Sequence, residues 1–442
     1  MLRAGHGLVL SVLGLLVIAT VMVNSASLSL SAGQQTTAES IFWGKHTWFA
    51  LGAVLALVVG ALVPVDRLAR DTGRWWTWPV TWVAAAVVLG LALVQVPGIG
   101  REVNGARRWV SLGPVGLQPS ELAKWGVPVL LAWYAIRNRA RMQSFKWGFA
   151  VPLAAVSAVC AVIAIEDLGT AVLIEGVAVL MLLAAGARWL WVGVAMPVGL
   201  LAFVGLVITS PYRVNRIAAF LDPYKDPQGI GYHIIQSMEA ISGGGLVGRG
   251  LGNSELKFGY LPEATTDFIY SIIAEELGIG GSGLVIGLYV LLVGCGVAIV
   301  TSAVRRGGRA GGDAGAGADV DAGAGVGVPA ADGQPLLSNF SQLLGFGIVL
   351  TVGLQALINV CVVTGLAPTK GIALPLMSRG GTGWILTCLS LGMLVAMERA
   401  ADRRRRELGI QVPGEDEQDP FAERPGATPA GAGAGLSAGA AA

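Results

Sequence analysis

Residues 260–300 read YLPEATTDFIYSIIAEELGIGGSGLVIGLYVLLVGCGVAIV. A polar, proline-containing segment meets a carboxylate at Asp267 and then runs into an apolar stretch over 270–300. A bilayer-spanning helix needs about 20 mostly apolar residues, so this stretch is long enough to cross. Nine others meet or nearly meet that length: 8–23, 47–65, 79–96, 121–136, 148–165, 169–187, 189–209, 342–363 and 380–398. With 54% hydrophobic and 13% charged residues and a mean hydropathy of +0.67, a soluble domain of 442 residues is excluded. The expectation is an all-α, polytopic membrane protein of about ten helices. The first stretch lacks a small-residue cleavage site before Asn24 and reads as a helix rather than a removable leader.

Lys and Arg set the orientation. Arg67, Arg70 and Arg74 follow the second span, and Arg137, Arg139, Arg141 and Lys146 follow the fourth. Arg305, Arg306 and Arg309 follow the eighth, and Arg399 with Arg403 to Arg406 follows the tenth. These ends read as cytoplasmic, and an even number of spans places both termini there, in agreement with Arg3. The basic residues are topological anchors rather than a nucleic-acid footprint, and a net charge of +2 says little by itself. Trp43, Trp48, Trp75, Trp76 and Trp78 at span ends read as interface anchors. Cys160, Cys295, Cys361 and Cys388 fall in apolar spans, which predicts buried thiols and no disulfide. His6, His46 and His233 have no metal-ligand spacing.

Residues 1–398 form the membrane domain. Its outward side carries a glycine- and arginine-rich loop over 97–120 and the longest connection, 210–269. A structureless loop of that length usually has a function. Within it, GYHIIQSMEAI (231–241) has an amphipathic pattern suited to the membrane interface. The run GGGLVGRGLG (243–252) that follows lacks the GK[ST] ending of a P-loop and reads as a turn or an anion nest. On the cytoplasmic side, 304–338 is a Gly/Ala/Asp linker, and 399–442 is a tail that starts basic and becomes disordered.

Charges inside spans cost roughly 2.5–3.5 kcal/mol each on insertion scales and point to function. Here they crowd one side. Glu121 and Lys124 open the fourth span and share a helix face. Glu166 and Asp167 occupy the outer turn between spans five and six, and Glu175 lies about 9 Å into span six. Asp267, Glu275 and Glu276 descend span eight, and Gln355 and Asn359 lie in span nine. The inner halves of most spans are dry. That pattern describes a polar basin open to the outside rather than a polar path across the membrane. Each residue also has a structural reading. Asp267 is either a first-turn acid favoured by the helix dipole or a general base for a hydroxyl. Arg107 and Arg108, with Arg101 nearby, suit either a pyrophosphate or anionic headgroups. Glu121 with Lys124 is a salt bridge or a substrate contact, and Glu175 and Glu275 bridge helices.

Six motifs in order resemble the SEDS family (shape, elongation, division and sporulation): NGARRW (104–109), QPSELAK (118–124), EDLGTA (166–171), QSMEAISGGGLVGRGLGNS (236–254), YLPEATTDFIYSIIAEELG (260–278) and PTKGIALPLMSRGGT (368–382). The GLGNS and LPEA wording is closest to the division branch, with the elongation branch second. The resemblance implies a peptidoglycan glycosyltransferase of the cytoplasmic membrane that polymerises lipid II into β-1,4 glycan and releases undecaprenyl pyrophosphate during septal wall synthesis. It implies Asp267 as the catalytic base and Arg107, Arg108, Glu121, Lys124, Asp167, Gln236, Lys370 and Ser378 as substrate-binding residues, and Arg379, which departs from the pattern, adds a positive charge expected to assist phosphate binding. The partners it implies are a class B penicillin-binding protein transpeptidase, other division proteins and membrane lipid, with no nucleic acid. A divalent cation, Mg2+ or Mn2+, is compatible with a pyrophosphate substrate, but no residue is assigned to it.

Three positions depart from the family pattern. Thr265 replaces the usual His before Thr-Asp, Ile165-Glu166 replaces Gln-Pro, and Arg379 replaces Tyr. A lipid II flippase and a scaffold that only recruits the transpeptidase are the competing readings, and the one-sided charge placement argues against the flippase.

Overall fold

The computed structural model describes residues 3–27, 44–70, 73–103, 106–112, 115–254, 265–305, 338–379 and 381–407. Helices form where the apolar stretches lie: α1 (Ala4–Ser27), α2 (Lys45–Leu62), α3 (Pro79–Gln95), α4 (Pro119–Arg137), α5 (Val151–Glu166), α6 (Leu168–Ala184) and α7 (Leu190–Ile208). Two further helices, α8 (Pro211–Leu221) and α9 (Tyr232–Gly243), lie in the long connection. The bundle is completed by α10 (Ile269–Arg305), α11 (Asn339–Val363) and α12 (Gly381–Glu407). Seven of these helices are long and apolar enough to cross a bilayer, α5 among them once its π-helical entry from Phe145 is included. α3 and α6 are shorter apolar helices, and α4 carries Glu121 and Lys124 into the bundle. The chain is a helical, multi-pass membrane protein.

Local chemistry sets the helix starts. Pro79, Pro119 and Pro211 each stand in a first turn, where a missing N–H costs nothing. Asp167 caps α6 by accepting from Thr170 N, and Ser338 caps α11 by accepting from Ser341 N. Small residues let α2 and α12 approach closely. A Cβ on Gly60 of α2 would lie 2.1 Å from Leu389 O, and one on Gly392 of α12 would lie 2.3 Å from Leu57 O. The two backbones touch there, as packing without a hydrophobic drive between helices requires. At the Arg-rich ends, Arg74 lies over the Trp76 ring and Arg137 over both Trp78 and Trp133. Trp48, Trp75 and Trp76 are exposed, as interface anchors should be, while Trp43 lies outside the described residues. All four cysteines are free thiols, buried or half-buried.

Five details differ from the sequence reading. Residues 97–120 do not form a plain loop: β1 (Gly100–Val103), β2 (Ala106–Leu112) and β3 (Val115–Leu117) make a three-stranded antiparallel sheet. The Arg-rich stretch pairs across it, with Arg101 opposite Trp109 and Glu102 opposite Arg107. Second, α9 does not lie free in an interface. Ile234, Ser237 and Ala240 are buried, and the Ser237 hydroxyl donates to Val363 O and sits 2.8 Å from Ser271 Oγ. Third, α10 is not one continuous span. It breaks at Gly278, where φ is 64° and ψ is −161°.

Fourth, the glycine run is neither an anion nest nor a free turn, because it fills that break. Arg249 N and Gly250 N donate to Glu275 O and Glu276 O, while Ile279 N and Gly280 N donate to Gly245 O and Leu246 O. Irregular backbone at membrane depth survives only when its polar groups are satisfied by protein in this way. Fifth, the basic residues 399–406 belong to α12, which continues to Glu407. Ala and Arg are good helix formers, and Asp402 bridges Arg3 of the N-terminal segment and Arg405 one turn on. The linker core (306–337) and the tail from 408 lie outside the described residues.

Candidate active site

Asp267 stands two residues before the start of α10. Its main chain is held from α11, where Asn359 Nδ2 donates to Asp267 O at 2.9 Å and to Ile372 O at 2.8 Å. Asn359 is 1% exposed, so a single buried amide fastens the head of α10 to the loop 364–379. One turn earlier on α11, Gln355 Nε2 donates to Ala373 O at 2.7 Å and its Oε1 accepts from Lys124 Nζ at 2.9 Å. Lys124 Nζ also lies 2.7 Å from Glu121 Oε2. The Glu121–Lys124 pair therefore forms, and through Gln355 it anchors the same loop.

That loop passes directly beside the acid. A Cβ placed on Gly371 would lie 3.2 Å from Asp267 Oδ2 and 3.8 Å from Arg108 Nη1. The bare Cα of Gly371 thus borders both the carboxylate and a guanidinium brought in by β2. Arg108 Nε is buried and has no hydrogen-bond partner among the described residues. Ser378 is buried at 2% exposure; its hydroxyl donates to Thr266 O at 2.5 Å and accepts from Leu374 N at 2.7 Å. Arg379 N donates to Thr265 O, and the exposed Arg379 side chain adds positive charge beside Lys45 and His46 at the head of α2.

Lys370 lies over the Phe203 ring of α7 at 5.3 Å. Burial pushes its ammonium below the usual lysine range, and the nearby Asp167 carboxylate opposes that shift. Asp167 itself is 7% exposed and occupied as the cap of α6, with Thr170 Oγ1 donating to Oδ2 at 2.8 Å. Arg107 is exposed: its Nε is 3.7 Å from Glu102, and its main-chain N donates to Glu166. Gln236 on α9 donates to Glu239 on the same helix. The structure therefore gathers Asp267, Arg108, Lys370, Ser378 and Arg379 around one loop, with Lys124 and Asp167 supporting it. Arg107 and Gln236 are engaged with their own neighbours.

Among the deeper carboxylates, Glu175 accepts from Ser157 at 2.6 Å and joins α5 to α6. Glu275 accepts from Ser254 and pairs with Arg249, and Glu276 accepts from Ser25 of α1. These three carboxylates tie elements together. Sequence reasoning missed two α8 arginines. Arg213 donates to Leu206 O, Ala164 O and Ile165 O, and Arg216 Nη1 donates to Thr369 O at 3.1 Å. Their spacing on a short amphipathic helix was the available signal. Among the described residues, no three His, Cys, Asp or Glu side chains converge to hold a metal.

Lys124→Met should lower thermal stability by about 1–3 kcal/mol, because it strands Glu121 and Gln355. Adding Glu121→Gln should recover part of the loss. Thermal unfolding in detergent checks both.

An acid with guanidinium and ammonium groups, gathered around one glycine-bearing loop of a membrane helix bundle, makes a polar site suited to a hydroxyl and an anionic group. The family model for cell cycle proteins of the FtsW/RodA/SpoVE type matches residues 6–309 and 331–403, and the chain belongs to that family. It is 35% identical over 396 residues to the "Probable peptidoglycan glycosyltransferase FtsW" of Halothiobacillus neapolitanus, covering 89% of this chain and 86% of that protein. Its fold is similar to a chain of a peptidoglycan synthase complex that coordinates polymerization and crosslinking, with TM-score 0.60, 25% identity, and coverage of 89% and 97%. It is also similar in fold to Thermus thermophilus rod shape determining protein RodA, with TM-score 0.55, 23% identity, and coverage of 89% and 96%.

Proposed function

We propose that this chain is a peptidoglycan glycosyltransferase that polymerises lipid II at the basin beside Gly371, on the outer side of the cytoplasmic membrane at the division septum. One observation carries the reading: the Asp267 carboxylate and the Arg108 guanidinium border the same bare Cα, which sets a base beside an anion-binding cation. The 4-hydroxyl oxygen of the incoming lipid II attacks the sugar carbon that bears the diphosphate of the growing strand. The carbon–oxygen bond to the diphosphate breaks, and undecaprenyl pyrophosphate leaves with the electron pair. Asp267 takes the hydroxyl proton as the β-1,4 bond forms. Arg108, Arg107 and Lys370 offset the charge that develops on the leaving group. Lys124, Ser378 and Asp167 act through the loop and helix start that they hold, and Gln236 contacts substrate from α9. A class B penicillin-binding protein transpeptidase is the partner that cross-links the product.

The test combines the purified chain, its transpeptidase partner and lipid II in detergent. Glycan polymer that disappears in Asp267→Asn while the complex survives supports the enzyme. No polymer from the unaltered complex, with vesicle translocation of lipid II that survives the same substitution, supports a carrier instead. Arg379→Tyr should raise the lipid II concentration needed for half-maximal rate, since it removes a cation from the rim. An unchanged dependence rejects that role.

A further inference from the structure

His233 lies at the start of α9 with its ring stacked against Phe268, at a centroid separation of 6.1 Å and an interplanar angle of 12°. Phe268 is 7% exposed and directly follows Asp267 in the chain. His233 Nδ1 is buried and meets no hydrogen-bond partner among the described residues. We propose that His233 is a positioning residue for the reaction: its uncharged imidazole supports the Phe268–Asp267 step at the head of α10, and a proton on the ring loosens that support.

Burial and one cationic neighbour favour the neutral ring. From α8, the Arg216 guanidinium presents positive charge, and its attachment to Thr369 O keeps it in place beside Lys370. On α9 itself, the neighbouring Tyr232 meets the ring edge-on at 6.2 Å. On α10, the packed group is the apolar Phe268, with Asp267 one residue further along. An added Nδ1–H would be a charged donor with nothing to accept it, which is costlier than a lone pair left unpaired. Burial and Arg216 both move the imidazole below its ordinary 6.5. The sign follows: the supporting form is fully present above 6.5 and is lost as pH falls through the lowered value of the folded protein.

The rate readout rests on the glycosyltransferase reading, whereas the titration readout does not. The chain has three histidines, so 13C-histidine NMR of the full-length protein in detergent resolves His233 by comparison with His233→Gln. Its midpoint should fall below 6.5 and should rise in Arg216→Gln. Polymerisation by the complex should be followed from about pH 5 to 8. His233→Gln should lower the rate severalfold near about pH 7.5, where the neutral ring gives its support, and that deficit should shrink as pH falls and the unaltered protein loses the supporting form. Superimposable pH profiles, an equal loss at every pH, or a midpoint at or above 6.5 would overturn the proposal. A complex that makes no polymer at any pH would instead defeat the functional reading, while the NMR midpoint and its response to Arg216→Gln would still decide the role of His233.

Discussion

Asp267→Asn should reduce lipid II polymerisation by about 10²–10⁴-fold, the usual contribution of a positioned general base. The substitution keeps shape and removes the basic oxygen, and two contacts that hold this step of the chain act on main-chain carbonyls. Asn359 holds Asp267 O, and Ser378 holds the preceding Thr266 O. Folding, detergent stability and binding to the transpeptidase should therefore survive, and the lipid II concentration for half-maximal rate should change little. Single-turnover measurements with preformed donor strand separate the chemical step from binding. A variant that polymerises at the normal rate would remove Asp267 from the mechanism. A variant that fails to fold would be replaced by Asp267→Glu, which keeps the base but moves it and should show intermediate activity.

Gly278→Ala should cause the largest loss of stability among single substitutions. Its φ of 64° and ψ of −161° lie in a region that is essentially closed to residues with a side chain. Space is missing as well, since a Cβ would lie 2.4 Å from Gly248 N and 2.7 Å from Leu246 O. Those atoms are backbone and cannot rotate away. The loop would have to withdraw, which would strand Glu275 O, Glu276 O, Ile279 N and Gly280 N at membrane depth. Backbone strain of about 1–3 kcal/mol and unpaired polar groups at about 1–3 kcal/mol each add to a cost comparable with a whole domain's stability. The expected result is aggregation or a strongly lowered melting temperature on size-exclusion and thermal-shift measurements. Gly283→Ala, five residues on and with open space around its Cα, is the control that should fold normally.

Much of this architecture was legible beforehand because hydropathy is a local property. Each apolar stretch became a helix, and the Arg-rich ends gathered with Trp. The polar residues of α11 were visible too, but their partners were not. Gln355 and Asn359 reach Ala373 and Ile372 across a reversal of the chain, and Asn359 reaches Asp267 across 92 positions. The sheet at 100–117 was hidden among glycines and arginines, because its alternation is short and its strands pair only with one another. The glycine run resembled a phosphate loop because an anion and a broken helix both call for unhindered backbone N–H groups, and composition does not tell the two apart.

Read by itself, the chain establishes that it lives in a membrane, which residues are too polar to be there without a reason, and that an acid precedes the apolar run from 270. Those conclusions need only transfer energies and charge, which each residue carries alone. Tertiary structure decides that Gly371 leaves its Cα bare between Asp267 and Arg108, that Lys124 and Ser378 act as braces, and that a glycine loop repairs the break in α10. Such pairings arise when distant backbone groups must satisfy one another where no water can, and no local pattern encodes which distant group will arrive.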